Sequence, residues 1–175
     1  MATKKTAPFT LTERLTLSTG ATPSVSGTID LGSYVDVGDR QGLIIHSVDY
    51  VFQGAAAGDG VLASMPGASE YLVQVLDLNR GGLAFANDRA LVSSAALTQG
   101  NTNDLHLGTD LYPDNFGKGA MDGRIVVNDN LYLEAKSTGT TTANTNITVR
   151  VTASIVTLSQ KDFMAIAIQS TAADN

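Results

Sequence analysis

The chain has 175 residues, no cysteine and a net charge of −6, with 43% hydrophobic and only 16% charged residues. This composition excludes a disulfide framework, thiolate chemistry and a nucleic-acid binder that works by bulk phosphate neutralisation. The length suffices for one core, and the many Gly, Thr, Ser and Asn residues favour strands and turns over helices. No apolar run approaches the roughly 18 residues of a membrane span, and no secretory signal is indicated.

Residues 1–8 are predicted to form a short flexible N-terminal arm, whose only charges are Lys4 and Lys5. A solvated terminus is the ordinary interpretation, and a contact arm toward a neighbour or a genome is the alternative. The segment from Phe9 to Leu17 carries apolar residues at alternate positions and predicts a strand. The turn residues Ser18 to Pro23 follow it.

The second clear strand is predicted from Leu43 to Phe52, after a turn at Val37 to Gly42. The more continuously apolar of its two faces is assigned to the core and comprises Ile44, His46, Val48, Tyr50 and Phe52. On that face, His46 is interpreted as a hydrogen-bonded core or interface histidine. A metal ligand is disfavoured because ligands occur in clusters.

The middle of the chain is less regular. Glu70 to Asp77 predicts a third strand, and Arg89 to Ala95 fits either a strand or a helical turn. The segment from Asn101 to Gly119 is rich in Asn, Asp and Gly, and we predict a long loop. A loop of this length in a compact domain is usually functional.

Three carboxylates of the predicted loop are candidate calcium ligands: Asp104, Asp110 and Asp114. No EF-hand spacing is present, so solvated turn carboxylates are the simpler interpretation. The chain has two histidines, no HExxH or GxSxG motif and no P-loop. Since no set of residues can be given catalytic roles, we predict that the protein is not an enzyme and needs no cofactor.

The last third has the strongest pattern. Gly123 to Asn128 and Asn130 to Lys136 predict strands, and from Ile147 the apolar residues occupy every second position. At Val156 the phase changes, which indicates either a bulge or a strand end covered on both sides. Ser159 is then predicted as the N-cap of a short amphipathic helix, with Asp162 three residues later.

About eight strands with regular turn signals predict a sandwich or a barrel. We expect a single β-sandwich domain over residues 9–170, with a flexible tail at 171–175. Low charge leaves surfaces that can be buried at little desolvation cost, which suggests assembly. From local signals alone, jelly roll, immunoglobulin-like sandwich and barrel all remain open.

The pattern resembles the single jelly-roll major capsid proteins of tailless viruses of prokaryotes or of environmental viruses. The resemblance lies in the short arm and in the segments at 28–36, 39–52 and 149–167. It implies an all-β, eight-stranded jelly-roll sandwich with a short C-terminal helix, self-assembly into an icosahedral shell, and no enzymatic activity. One departure is the arm, because capsid proteins that package genomes directly often carry long basic arms and this one has two lysines.

The resemblance further implies a virion protein assembled in the host cytoplasm. Its partners would be copies of itself and other virion proteins, with at most weak genome contact. The candidate interface residues are Lys4, Lys5, Tyr112, Phe116, Phe163 and Ile166. The alternatives are a phage decoration, tail or appendage subunit, and a ligand-binding β-sandwich that uses the loop at 101–115.

Overall fold

The computed structural model describes residues 3–4, 6–36, 38–65, 67–100, 104–112 and 123–171. These ranges contain twelve strand segments, a 3-10 turn at Val61–Ser64 and one helix, α1, at Gln160–Thr171. The strands are β1 (Thr3–Lys4), β2 (Phe9–Leu17), β3 (Gly20–Ala21), β4 (Ser24–Asp30), β5 (Gln41–Gln53), β6 (Ser69–Leu76), β7 (Leu91–Gln99), β8 (Leu105–Tyr112), β9 (Arg124–Val126), β10 (Asn130–Ser137), β11 (Thr140–Thr141) and β12 (Thr145–Thr157).

The strands form two five-stranded antiparallel sheets and a small β3–β11 pair. In the first, here called the β12 sheet, β12 lies between β5 and the successive segments β1 and β2, and β9 extends the β5 side. The second, here called the β10 sheet, has the order β4-β10-β6-β7-β8.

The pairing of eight strands is nested, with β8 as an addition at the edge of the β10 sheet. β2 pairs with β12, β4 with β10, β5 with β9, and β6 with β7, each antiparallel. The chain is therefore one long hairpin rolled into two facing sheets, which is the jelly roll with its two Greek keys. This confirms the predicted fold class, including the short C-terminal helix, and excludes the immunoglobulin-like alternative.

The alternating pattern of β12 explains its central position. Ile147, Val149, Val151 and Ala153 are buried between the sheets, whereas Arg150 on the other face is exposed. Successive strand side chains point to opposite faces, so one face of β12 contributes to the core and the other to the surface. Leucine, isoleucine and valine side chains from both sheets complete this core cluster.

A β-bulge in β5 corrects the predicted face of that strand. Thr152 pairs with Ser47 and Ala153 with Ile45, so His46 is the extra residue. The core face consequently changes phase at the bulge, from Leu43 and Ile45 to Val48, Tyr50 and Phe52. The prediction that Ile44 and His46 belong to the same core face as Val48 is therefore wrong.

Ile44 instead belongs to a second buried cluster, outside the sandwich, with Val127, Val156 and Leu158. The helix α1 covers this cluster, which explains why the end of β12 is apolar on both faces. Of the two interpretations of Val156, the strand end covered on both sides is thus the correct one.

The predicted helix start is confirmed. Ser159 Oγ accepts the Asp162 backbone N–H at 3.2 Å and donates to Asp162 Oδ2 at 2.7 Å. This hydrogen bond from Ser159 lowers the pKa of Asp162. The Ser159 hydroxyl thereby satisfies one of the backbone donors that the first helical turn leaves without partners.

Two segments that were predicted as irregular contain strands. β8 occupies Leu105–Tyr112, within the predicted long loop, and pairs with β7. The ambiguous segment near Arg89 is a strand, β7, which begins at Leu91. In the predicted arm, Thr3 and Lys4 pair with Thr157 and Val156, and Thr6 Oγ1 accepts the Ile155 N–H at 3.0 Å.

Candidate functional site

One hydrophobic cluster, mostly aliphatic, occupies the space between the sheets. Tyr71 is its largest fully buried member, and Leu17, Leu31, Leu43, Leu131 and Ile147 are also fully buried. Close-packed aliphatic side chains supply no groups for acid–base or nucleophilic chemistry. Candidate sites therefore lie at the two ends of the sandwich and on its outer faces.

At one end, three fully buried hydroxyls form a closed network. Tyr71 Oη donates to Ser64, with 3.1 Å to its Oγ, and Thr145 Oγ1 lies 2.7 Å from Ser64 Oγ and 2.9 Å from Tyr71 Oη. Ser64 Oγ donates in turn to the Val61 carbonyl at 2.7 Å. The partners of each hydroxyl are other hydroxyls and backbone carbonyls, so this network joins the two sheets and does not form a nucleophilic site.

We expect Tyr71→Phe to lower the free energy of unfolding by about 1–3 kcal/mol, because the buried hydroxyls of Ser64 and Thr145 lose a partner. Urea unfolding at pH 7 measures this change. The control is Tyr34→Phe, which removes the same hydroxyl from a tyrosine outside the network. Tyr34 is half-buried, and its ring stacks on that of Phe9 with the ring centroids 5.1 Å apart. Equal stabilities of Tyr71→Phe and wild type would contradict the network.

At the opposite end, a buried ion pair fixes the turn after β6. Arg124 Nη2 lies 3.2 Å from Asp77 Oδ2 and also donates to the Arg89 carbonyl. Asn128 Nδ2 donates to the Asp77 carbonyl at 2.7 Å. Burial raises the pKa of Asp77, and the Arg124 guanidinium offsets this effect only in part.

Residues 77–90, here called the β6–β7 loop, are held at several points. The Gln74 side chain accepts the Ala84 N–H at 2.7 Å and donates to the Ala84 carbonyl at 2.9 Å. Asp88 Oδ1 accepts from Arg80 Nη2 at 2.8 Å and from the Ala90 N–H at 2.9 Å. Burial raises the pKa of Asp88, but these two hydrogen bonds outweigh that effect and the net shift is downward.

Phe85 projects from this loop. Its neighbour Ala84 is anchored to Gln74, and its own carbonyl accepts the Asp88 N–H at 3.0 Å. Its side chain is nevertheless 86% exposed. A fixed backbone that presents an exposed aromatic ring has the properties of an interface anchor, because little conformational entropy is lost when the ring is buried.

A cavity of about 320 Å³ lies at the end of the sandwich that holds the buried hydroxyl network, where β5 ends. Its lining is mostly small and comprises Gly54, Ala55, Gly58, Asp59, Gly60, Ser64 and Ala143. The Gly54 N–H donates to the Asp59 carbonyl at 2.8 Å and thereby closes the loop that forms the cavity wall. β6 has eight residues and runs from the cavity end to the β6–β7 loop, so the cavity and the start of that loop are roughly 25 Å apart.

Two of the three candidate calcium ligands, Asp104 and Asp110, do not share a loop. Asp104 is exposed immediately before β8, Asp110 lies within β8, and Asp114 lies outside the described residues. Within the described ranges, no three His, Cys, Asp or Glu side chains are close enough together to hold a metal ion. His46, the bulge residue, has its Nε2 2.9 Å from Ser154 Oγ.

The predicted interface residues are dispersed over the fold. Lys4 lies in β1 and Tyr112 ends β8 opposite Ser94, whereas Lys5 and Phe116 lie outside the described residues.

Phe163 and Ile166 are half-buried on the second cluster, against their own sheet. The exposed apolar residues of α1 are instead Met164 and Ile168, at 53% and 61%. Neither these two residues nor Phe85 was singled out from the sequence. For Phe85 the available signal is a lone aromatic residue in a stretch of small and polar residues.

No family model and no curated protein sequence matches this chain. Among solved structures, one of Desmodium yellow mottle tymovirus is similar with 12% identity and a TM-score of 0.35, over 89% of this chain and 92% of that one. A decameric BFDV capsid protein is similar with 13% identity and a TM-score of 0.17, over 85% of this chain and 100% of that one. Because both similarities are low, the jelly-roll assignment rests on this chain's own strand pairing. Among the described helical residues, none forms a helix long and apolar enough to cross a membrane.

Proposed function

We propose that this chain is a virion protein that self-assembles into the icosahedral capsid of a tailless virus of prokaryotes or an environmental virus. The observation that carries the proposal is a jelly roll with an aliphatic interior and two complementary ends. Jelly rolls occur in capsid and lectin domains and in cupins, so the fold alone does not choose among these functions. An interior filled with aliphatic side chains favours the functions performed by surfaces.

The proposed contact places the Phe85 ring of one copy in the cavity of the next. The ring of Phe85 projects from the β6–β7 loop, and the cavity at the other end offers space lined by glycine and alanine.

Such a contact between copies is head-to-tail. It joins two different surfaces, so it repeats from copy to copy and closes into a ring when the rotation between copies allows it. Rings of this kind are the building blocks of a closed shell. The proposed partners are therefore other copies of this chain, with other virion proteins as secondary partners and weak genome contact through the arm. In this proposal the protein is no enzyme, uses no cofactor and assembles in the host cytoplasm.

Electron microscopy and mass photometry of the protein expressed alone test the proposal. Uniform closed shells are expected, with disassembly favoured at low protein concentration. A discrete small oligomer that binds a preformed shell but never closes one would favour a decoration or appendage subunit. A strict monomer at high concentration in all salts would overturn both proposals.

Engineered cysteines test the head-to-tail contact directly, since the native chain has none. Ala86 adjoins Phe85 and Ala55 lines the cavity, and both are exposed. We expect the double variant Ala55→Cys/Ala86→Cys to form a ladder of disulfide-linked multimers under mild oxidation. The two ends of one copy are too far apart for an internal disulfide. Each single variant is the control, because it can link no more than two copies, and a double variant that also stops at dimers would contradict the contact.

A further inference from the structure

A cleft of about 270 Å³ opens on the outer face of the β10 sheet, beside the β6–β7 loop that carries Phe85. The edge strand β4 and its neighbour β10 form its floor, because Ser26 pairs with Glu134 and Thr28 with Tyr132. The β6–β7 loop supplies one wall through Asn79. Backbone hydrogen bonds fix β4 and β10, and the side chains of Gln74 and Asp88 hold the loop, so the cleft is formed before any ligand binds.

Glu134 is the unusual residue of this cleft. It is only 7% exposed, and its Oε2 accepts a hydrogen bond from Ser26 Oγ at 2.7 Å. In the part of the chain that the structure describes, no cation pairs with it. Burial of a carboxylate is costly unless donors surround it, and one hydroxyl satisfies only part of its capacity. Its second oxygen is thus available to a donor that enters the cleft.

The other lining groups indicate the kind of donor. Asn79 Oδ1 already accepts the Gly81 N–H at 2.8 Å, which leaves its amide NH₂ for a ligand. Tyr132 adds an aromatic ring, and Thr28 adds an exposed hydroxyl. A ligand that has both hydrogen-bond donors and acceptors matches this set. An amine matches it less well, because its N–H donors would suit the carboxylate but would also face the NH₂ donor of Asn79.

We propose that this cleft binds a hydroxyl-rich ligand, namely one sugar ring. Glu134 accepts from a ring hydroxyl, Asn79 donates to a neighbouring hydroxyl, and the apolar face of the ring lies on Tyr132. The site is complete in one copy, so it does not depend on the proposed shell. In a shell it would give each subunit one carbohydrate contact.

A glycan array and isothermal titration with free monosaccharides test the site and distinguish a surface glycan from a free sugar as the ligand. We expect wild type to bind at least one sugar and Glu134→Gln to weaken binding about ten- to hundred-fold, since a hydrogen bond to a charged group is lost. Asn79→Ala, at an exposed position, should also weaken binding, and its cost to the fold is limited to the one hydrogen bond from the Gly81 N–H.

The matched control is Glu13→Gln, which makes the same chemical change at a half-buried glutamate in the β12 sheet and should leave sugar binding unchanged. Absence of binding to every sugar would overturn the inference, as would equal binding by wild type, Glu134→Gln and Asn79→Ala. Electron microscopy of the same variants separates this result from assembly, because Glu134→Gln should form the same particles as wild type.

Discussion

The substitution Phe85→Ser is expected to leave the subunit folded and to prevent it from forming shells. The ring is 86% exposed in one copy, so its removal costs the isolated fold little. In the proposed contact the same ring is buried in the cavity of the next copy. Loss of an aromatic anchor at the centre of an interface costs about 2–4 kcal/mol per contact. Since a shell repeats that contact in every subunit, the concentration needed for assembly rises steeply.

Mass photometry across a concentration series measures this effect, and thermal unfolding of the monomer verifies the fold. The control is Val51→Ser, because Val51 is another exposed apolar residue. It lies in β5, on the β12 sheet, and its side chain is 41% exposed. We expect shells from Val51→Ser and wild type at the same concentration. Shells from Phe85→Ser at that concentration would show that the ring is not an anchor.

The second large effect is expected from Arg124→Ala, which leaves the Asp77 carboxylate buried without its cation. The Asp77 side chain is 3% exposed, and loss of one partner from a buried pair costs about 3–5 kcal/mol. The Arg124 side chain is 24% exposed, which places the expected loss near the lower end of that range. The β6–β7 loop also loses the bond from Arg124 to the Arg89 carbonyl, so assembly should weaken too.

The pH dependence of this variant has a definite sign. Burial already raises the pKa of Asp77 above its ordinary value of 3.8, and Arg124 acts against that shift. Without Arg124 the pKa of Asp77 rises further. A carboxyl group whose pKa is higher in the folded than in the unfolded protein binds its proton more tightly when folded. It therefore adds stability at a pH below its unfolded pKa, and this added stability is lost as the pH rises through its folded pKa. The difference between wild type and Arg124→Ala should therefore be largest at neutral pH and should shrink toward pH 4.

Urea unfolding at pH 7 and pH 4 checks both parts of the prediction. Arg80→Ala is the matched control, because Arg80 pairs with Asp88 at the surface and its loss should cost less than about 1 kcal/mol. The double variant Asp77→Asn/Arg124→Met should recover part of the stability at pH 7, since no buried charge remains. A deficit in Arg124→Ala that is the same at both pH values would contradict the assignment to the Asp77 charge.

The strand content and the C-terminal helix could be predicted because local patterns specify them. The alternation from Ile147 to Ala153 defines one buried face, and Ser159 with Asp162 defines the helix start. The bulge at His46 could not be predicted, because it appears only when β5 is aligned with β12. β8 was missed because its Asn-, Asp- and Gly-rich surroundings are typical of loops, and its pairing with β7 is a tertiary choice.

The functional surfaces were harder to predict. Sequence alternation places Glu134 on the outer face of β10, but its burial depends on β4 and on the distant β6–β7 loop. Phe85 stands out only when its exposure is known, since a lone phenylalanine in a loop is equally compatible with a core contact. Both features combine residues that are far apart in the sequence, and no spacing rule encodes such proximity.

The nested pairing also determines when the subunit can acquire its structure during synthesis. β12 follows in the chain every strand with which it pairs, yet it lies in the middle of its sheet and pairs with β2, more than 120 residues earlier, at Leu17 and Thr145. Until the ribosome has released β12, the edges of β2 and β5 that face it have no partner and their apolar face stays open to water. Contacts of such long range make folding slow and expose intermediates to aggregation. A correctly folded subunit thus requires synthesis through β12, and a chain released before that strand would expose the apolar faces of both sheets.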